Sequence, residues 1–246
     1  MDQLLPLNIA HRGASAVAPP NTLAAFEKAA ALGADGIELD VHLSADGEPV
    51  VIHDFTVDAT TDGSGRVAQL TLAQLKRLDA GAHFGPAFAG EPIPTLEEVL
   101  RVVGKRLLLN IELKSAGLRD SGLERAVVAQ IARAVESDSR VILSSFNPLS
   151  LWRVKKIAPH IPVGLLDRPD CLHRACLACF FPHAALHPEH TMVDARYMAR
   201  ARQRGYRVNV WTVDDPDEMR HLIDLGVDGI ITNLPDVLHS ILESRR

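Results

Sequence analysis

The sequence predicts a single TIM (β/α)8 barrel with a small insertion after the second strand. Short apolar runs typical of strands alternate with helical segments along the whole chain, which predicts a parallel sheet covered by helices. The length of 246 residues suits one such barrel. Hydrophobic residues make up 47% and charged residues 23% of the chain, as in ordinary globular proteins. An open, doubly wound sheet is the alternative fold for this alternation.

Nine apolar runs are the candidate strands. They are residues 7–10, 36–41, 49–52, 107–113, 141–144, 163–166, 184–187, 207–212 and 229–232. One pair breaks the alternation, because the Asp46-Gly47 dipeptide between 36–41 and 49–52 is typical of a tight hairpin turn. Removal of the short hairpin arm leaves about eight strands for the barrel.

Segments with helical periodicity separate most of these strands. The candidates are residues 22–32, 123–136, 149–157, 194–204 and 216–225. The last has Pro216 in its first turn and Gly226 just past its end, the usual positions for these two residues. Residues 55–94, rich in Gly, Thr and Pro around a short helical stretch at 71–78, form the predicted insertion. Because no linker marks a second domain, we expect one unit spanning residues 1–246.

Composition and charge exclude several classes of protein. The chain has 26 lysines and arginines and 31 aspartates and glutamates, which gives a net charge of −5. It therefore lacks the basic excess typical of nucleic-acid-binding proteins. The basic segment 196–207 is interpreted as a solvated helix face. The N-terminus has no basic n-region and no run of 18 apolar residues occurs, so we expect a cytoplasmic protein without membrane insertion. Cys171, Cys176 and Cys179 surround His173, but buried structural cysteines are favoured over a zinc or redox site.

Polar residues occur where the predicted strands end. In α/β barrels the carboxyl ends of the strands carry the active site. The residues at these positions are His11 and Arg12 after the first strand, Glu38 and Asp40 on the second, His53 after the hairpin arm, Glu112 and Lys114 on the next strand, and Trp211 near the end of the chain.

Three of these residues indicate a metal site. Glu38 and Asp40 are two residues apart, so their side chains share one face of a strand, and Glu112 is predicted to join them. Alone, a Glu-x-Asp pair is more often the solvated face of an antiparallel sheet. Strands of a parallel barrel are shielded on both faces, however, and converging carboxylates there need a counter-charge. Oxygen ligands favour one divalent cation, Mg²⁺ or Ca²⁺ with Mn²⁺ as an alternative, over Zn²⁺.

The remaining polar residues indicate an anionic ligand and proton transfer. Arg12 and Lys114 suit phosphate, because a guanidinium can clamp two oxygens and an ammonium supplies a point charge. A lone histidine at a strand end is often structural. Two histidines, His11 and His53, beside three carboxylates and two cations favour general acid/base chemistry.

Six motifs together resemble the glycerophosphodiester phosphodiesterase family. They are HRGASAVAPPNTLAAF, GADGIELDVHLSADGEPVVIHD, LLLNIELK, SSFNP, VNVWTVD and GVDGIITNLPD, in the order and spacing of the family from about residue 8 to residue 238. The resemblance implies a TIM barrel with a small insertion after the second strand. It further implies acid/base roles for His11 and His53, metal binding by Glu38, Asp40 and Glu112, phosphate binding by Arg12 and Lys114, and packing of Trp211 against glycerol.

The chain departs from the family pattern at one position. The family usually has Pro-Glu-Asn-Thr before the first helix, and here Pro20 replaces the acid in Pro19-Pro20-Asn21-Thr22. Asn21 is expected to reach the rim of the site or to cap the helix. Since the metal ligands and both histidines are present, we expect activity to be retained.

The implied reaction is the metal-dependent hydrolysis of glycerophosphodiesters to sn-glycerol 3-phosphate and an alcohol, through a cyclic phosphate. Which histidine is the acid and which the base stays open. The alternatives are a phosphodiesterase of the phosphatidylinositol-specific phospholipase C or sphingomyelinase D type, or a non-catalytic barrel that binds a phosphate ligand. The sequence shows no apolar hairpin or basic amphipathic helix for docking to lipid, so a small, soluble substrate is preferred. The oligomeric state is not predicted.

Overall fold

A computed structural model describes residues 5–115, 117–134, 140–171 and 183–246 of the chain. Nine strands form one sheet. The strands are β1 Leu7–His11, β2 Gly36–Leu43, β3 Pro49–Val51, β4 Leu108–Leu113, β5 Val141–Ser145, β6 Val163–Asp167, β7 Ala185–Pro188, β8 Arg207–Val210 and β9 Gly229–Thr232. The helices are α1 Leu23–Ala31, α2 Leu72–Leu75, α3 Leu96–Val103, α4 Leu123–Ala134, α5 Pro148–Ile157, α6 Ala195–Gln203, α7 Pro216–Leu225 and α8 Pro235–Glu243.

The sheet closes on itself, because β1 pairs in parallel with both β2 and β9. Ile9 lies opposite Gly36 on one side and Ile231 on the other. Eight parallel strands therefore form a closed TIM barrel, which confirms the predicted fold and excludes the open sheet. The predicted hairpin is also present, since β3 is antiparallel to β2 with Val41 opposite Val51. Gly47 supplies the positive φ of +85° that the hairpin turn requires.

The five predicted helices are all present, with ends shifted by a few residues; for the segment 123–136 the described helix runs to Ala134. Two further helices, α3 and α8, were not among the predicted segments. The start of α3 does have a sequence signal, because Thr95 and Glu98 form a reciprocal capping box. The basic segment 196–207 behaves as expected, since α6 buries Met198 and Ala201 and exposes its arginines.

Strand alternation separates the barrel interior from the helical shell. On β2, Ile37, Leu39 and Val41 are fully buried in the apolar layer between sheet and helices. The intervening residues Glu38 and Asp40 point the other way, as the two-residue period of a strand requires. The same alternation on β4 leaves its polar residues inside the barrel. The fold therefore places buried carboxylates on the inner face of two paired strands.

The insertion follows the hairpin and precedes α3. It forms a small apolar cluster around Val57, Val67, Leu75 and Ile93, which is continuous with the barrel through Val50 on β3. The predicted helical stretch within it is present as the single-turn helix α2, which begins at a capping box.

Two expectations concern other regions. The prediction for the cysteines lies outside the described residues, because Cys176 and Cys179 fall within residues 172–182 and only the backbone of Cys171 is described. Within the described part of the chain, no helix is long and apolar enough to cross a bilayer.

Candidate active site

The chain makes an abrupt turn directly after β1. Arg12 adopts a positive φ of 55°, which is uncommon for a residue with a side chain, and Gly13 follows with a φ of +82°. Gly13 also packs so closely on α1 that an added Cβ would lie 2.7 Å from the backbone carbon of Ala25. This turn places His11 and Arg12 at the carboxyl end of the barrel, next to β2.

Glu38, Asp40 and Glu112 form a compact acidic cluster inside the barrel. One carboxylate oxygen from each lies within 4.8 Å of the others, and all three side chains are buried. Strand register explains the meeting, because Asp40 on β2 lies opposite Glu112 on β4. The chain thus brings together the three carboxylates that the sequence predicts as one group.

Two cations lie against this cluster. The Lys114 ammonium is 3.1 Å from Asp40 Oδ1 and 2.9 Å from Glu112 Oε1, and the Arg12 Nε is 3.3 Å from Asp40 Oδ2. Burial raises the pKa of Asp40, but Lys114 and Arg12 outweigh it and hold that pKa well below its usual range. The ionised form of Asp40 is therefore favoured.

The two glutamates behave in the opposite way. Burial and the negative charge of Asp40 raise the pKa of Glu112 to about 7. Burial, Asp40 and Glu112 likewise raise the pKa of Glu38 well above its usual value. Three carboxylates face two cations, so the cluster carries a charge of −3 + 2 = −1 when all groups are ionised. An all-oxygen donor set with uncompensated negative charge fits a divalent cation such as Mg²⁺, Ca²⁺ or Mn²⁺.

The two histidines face the cluster from different elements, His11 from the end of β1 and His53 from the loop after β3. His11 Nε2 is 4.0 Å from Glu38 Oε2, and the Nδ1 of the same ring is 2.7 Å from the side-chain oxygen of Asn233. His53 Nδ1 is 2.6 Å from the Asp54 carboxylate. Burial and the Arg12 charge lower the pKa of His11 to about 4, and burial also lowers the pKa of His53. Both rings are thus favoured in the neutral form that can accept a proton.

One cavity of about 110 Å³ connects these groups. Seven of the eight predicted site residues line it, namely His11, Arg12, Glu38, His53, Glu112, Lys114 and Trp211. The eighth, Asp40, contacts Arg12 and Lys114. Trp211 follows β8, and its indole N–H donates to the carbonyl of His187 at 2.6 Å. Its ring meets Phe146 edge to face at 5.6 Å, so two aromatic side chains form an apolar wall of the cavity.

The structure adds residues to the eight predicted site residues. His42 Nε2 lies 3.0 Å from the His53 carbonyl oxygen and so supports the loop that carries this histidine. Asn110 and Ser144 lie on the cavity wall and are fully buried, and their side-chain polar atoms have no hydrogen-bond partner among the described residues. Asp214 contacts Asn233 beside His11. The signal shared by His42, Asn110 and Ser144 is a polar residue at an inward-facing strand position, whereas Asp214 lies in the loop between β8 and α7.

The loop that contains Pro20 contacts the site through the next residue, Asn21. The Asn21 amide donates to Asp40 Oδ2 at 2.8 Å, and the Asp40 backbone N–H donates back to Asn21 Oδ1 at 3.2 Å. Asn21 therefore reaches the site, and the cap of α1 is the next residue, Thr22. Asn21 adopts a positive φ of 61°, a strained conformation of the kind that clusters at functional sites.

Comparison with known proteins shows the relationship that this site suggests. The model of the glycerophosphoryl diester phosphodiesterase family matches residues 11–237. The chain belongs to this family. It is 46% identical over 237 residues to a glycerophosphodiester phosphodiesterase of Caldanaerobacter subterraneus subsp. tengcongensis, with 96% of this chain and 97% of that relative covered. It is 34% identical to a glycerophosphodiester phosphodiesterase of Bacillus subtilis, with 96% and 86% covered.

Solved structures agree with the family assignment. A phosphodiesterase of Oleispira antarctica, solved in complex with the product sn-glycerol-3-phosphate, is 34% identical and superposes with a TM-score of 0.87 over 97% of each chain. The resemblance inferred from the motifs is thereby confirmed, as is the barrel expected for the glycerophosphoryl diester phosphodiesterase family.

Proposed function

We propose that this protein hydrolyses glycerophosphodiesters to sn-glycerol 3-phosphate and an alcohol, with the help of one divalent cation. The observation that carries the proposal is the convergence of three buried carboxylates, two histidines and two cations on one small cavity. The family membership and the product complex of the Oleispira antarctica relative support the same substrate class.

The first requirement of the reaction is the neutralisation of the phosphodiester charge. Arg12 and Lys114 line the cavity and can each donate to phosphate oxygens. Glu38, Asp40 and Glu112 would hold Mg²⁺, Ca²⁺ or Mn²⁺. A bound divalent cation supplies further positive charge and lowers the pKa of an oxygen that it contacts.

The second requirement is proton transfer, which we assign to His11 and His53. The glycerol hydroxyl next to the ester attacks phosphorus and gives its proton to one histidine, while the other protonates the departing alcohol. Water then opens the resulting cyclic phosphate to glycerol 3-phosphate. Each proton transfer by a positioned side chain contributes about 10²–10⁴-fold in rate. Trp211 and Phe146 would pack against the carbon atoms of the glycerol moiety.

We further propose that the substrate is a small molecule and that the protein acts in the cytoplasm. The cavity of about 110 Å³ is lined by charged and polar side chains together with Phe146 and Trp211, which suits a small polar substrate group.

The test is the release of glycerol 3-phosphate from glycerophosphocholine by purified protein. We expect activity with Mg²⁺, Ca²⁺ or Mn²⁺ and its loss in excess EDTA. His11→Ala and His53→Ala should each lower the rate by about 10²–10⁴-fold while the far-ultraviolet circular dichroism stays unchanged. His221→Ala, on the exposed face of α7, is the matched control with full activity.

Two outcomes would contradict the proposal. Equal turnover in excess EDTA would disprove the role of the cation. Turnover of phosphatidylinositol or sphingomyelin vesicles, without turnover of soluble glycerophosphodiesters, would instead favour a lipid phosphodiesterase of the phospholipase C or sphingomyelinase D type.

A further inference from the structure

Asn233, in the last βα unit of the barrel, is a hydrogen-bond partner of His11, in the first βα unit. Asn233 follows β9 directly and His11 ends β1, and the two strands are neighbours in the barrel. The side-chain oxygen of Asn233 lies 2.7 Å from Nδ1 of His11. The Ser15 hydroxyl donates to the same oxygen, also at 2.7 Å. A contact at this distance raises the question of which of the two partners is the donor.

The carboxylate of Asp214 identifies the donor, because it sets the orientation of the Asn233 side-chain amide. Asn233 Nδ2 lies 2.6 Å from Asp214 Oδ2, and the backbone N–H of Asn233 donates to Asp214 Oδ1 at 2.8 Å. The Thr232 hydroxyl donates to the same Oδ1 at 3.0 Å. An ionised carboxylate only accepts hydrogen bonds, so the amide nitrogen of Asn233 must face Asp214. Its amide oxygen then has to face His11.

The orientation of this amide determines the tautomer of the histidine. An amide oxygen accepts and cannot donate, so Nδ1 of His11 must carry the proton that is shared with Asn233. In a neutral ring the other nitrogen, Nε2, then has a free lone pair. Nε2 is the nitrogen that faces the acidic cluster, 4.0 Å from Glu38 Oε2.

We propose that Asp214 and Asn233 are positioning residues that hold His11 in the Nδ1–H tautomer and present its unprotonated Nε2 to the substrate. The effect on the rate rests on the proposed phosphodiesterase function. The tautomer itself does not, because it is a property of the resting protein that can be measured without turnover.

The test is long-range ¹H–¹⁵N nuclear magnetic resonance of uniformly ¹⁵N-labelled protein with Mg²⁺, at a pH of about 8, where unperturbed histidine is neutral. Comparison with His11→Gln assigns the His11 signals. We expect the proton on Nδ1 in the wild type. In Asp214→Leu, where the Asn233 amide is free to turn, we expect signals of the Nε2–H form. A wild-type ring with its proton on Nε2 would overturn the proposal, and this outcome does not depend on whether Asp214→Leu folds.

The kinetic test compares kcat with KM on glycerophosphocholine. We expect Asp214→Leu and Asn233→Ala to lower kcat by about 10- to 100-fold, as loss of an outer-shell partner typically does, with KM changed less than about threefold. Asp215→Asn is the matched control, because Asp215 caps α7 through the Asp217 and Glu218 N–H groups and Asn is an equally good cap. Unchanged kcat and tautomer in both test variants would contradict the proposal.

These readouts separate the two proposals. An inactive wild type with the expected tautomer would contradict the proposed function alone. An active wild type with the proton on Nε2 would contradict the positioning role alone.

Discussion

Neighbouring carboxylates in the acidic cluster have opposite pKa shifts, although all three are buried. Asp40 contacts both Lys114 and Arg12, and its pKa is low because these cations outweigh burial. Among the described residues, Glu112 pairs with one cation, Lys114, and it faces the charge of Asp40, so burial and repulsion raise its pKa to about 7. The residue that keeps its charge is the one held by two cations. A divalent cation bound between the glutamates would lower the pKa of both and favour their charged forms.

This difference predicts that cation binding is pH-dependent. A carboxylate ligand must be deprotonated, so Mg²⁺ or Mn²⁺ has to displace the proton of Glu112 below a pH of about 7. Apparent affinity should therefore rise with pH between about 5.5 and 8, by up to ~10-fold per unit for each proton released. Calorimetry in two buffers of different ionisation enthalpy counts the protons. Glu112→Gln should bind more weakly and release one proton fewer, and a pH-independent affinity would disprove the assignment.

At the scale of elements, the turn between β1 and α1 depends on a residue without a side chain. Gly13 has a φ of +82° and packs against the backbone of Ala25. The hairpin glycine, Gly47, has almost the same φ of +85° but nothing within 4 Å of the position of a Cβ. Substitutions at these two glycines therefore separate the cost of a positive φ, in free energy of unfolding, from the cost of the close contact with Ala25.

We predict that Gly13→Ala destabilises the protein by about 2–5 kcal/mol, because it combines a left-handed alanine with a clash. Gly47→Ala should cost only about 1–2 kcal/mol, the backbone term alone. Urea denaturation of both variants measures the difference. Gly13→Ala should also lose activity, since the clash displaces the turn that carries His11 and Arg12. Equal destabilisation by the two variants would show that the contact with Ala25 is unimportant.

At the scale of the whole molecule, a cation that binds only the folded barrel stabilises it against unfolding. At a concentration of 100 times Kd the gain is about 2.7 kcal/mol. For a chain of 246 residues this corresponds to a rise in Tm of roughly 5–11 °C. Scanning calorimetry with and without Mg²⁺ measures the shift. In Asp40→Asn the shift should disappear, whereas in Glu48→Gln, at an exposed position near the hairpin turn, it should persist.

Much of the fold and of the candidate site could be predicted from the sequence. Strand alternation in the segment Glu38–Asp40 was enough to place two carboxylates inside a barrel, because a parallel sheet has no solvated face. The helices α3 and α8 were missed, although a capping box begins α3 and Pro235 lies in the first turn of α8. The roles of Asp214 and Asn233 could not be predicted, because they depend on contacts that closure of the barrel brings about and not on local pattern. The role of His42 depends on the path of the chain after the hairpin, which places the His53 carbonyl beside its ring.

The contact between His11 and Asn233 joins residues 222 positions apart in the chain. During synthesis on the ribosome, β1 emerges long before β9, so the edge of β1 that pairs with β9 stays open until β9 has left the exit tunnel. His11 is therefore translated long before the residue that its ring contacts. Because Asn233 directly follows the strand that closes the barrel, the contact with His11 can form only after β9 has been translated.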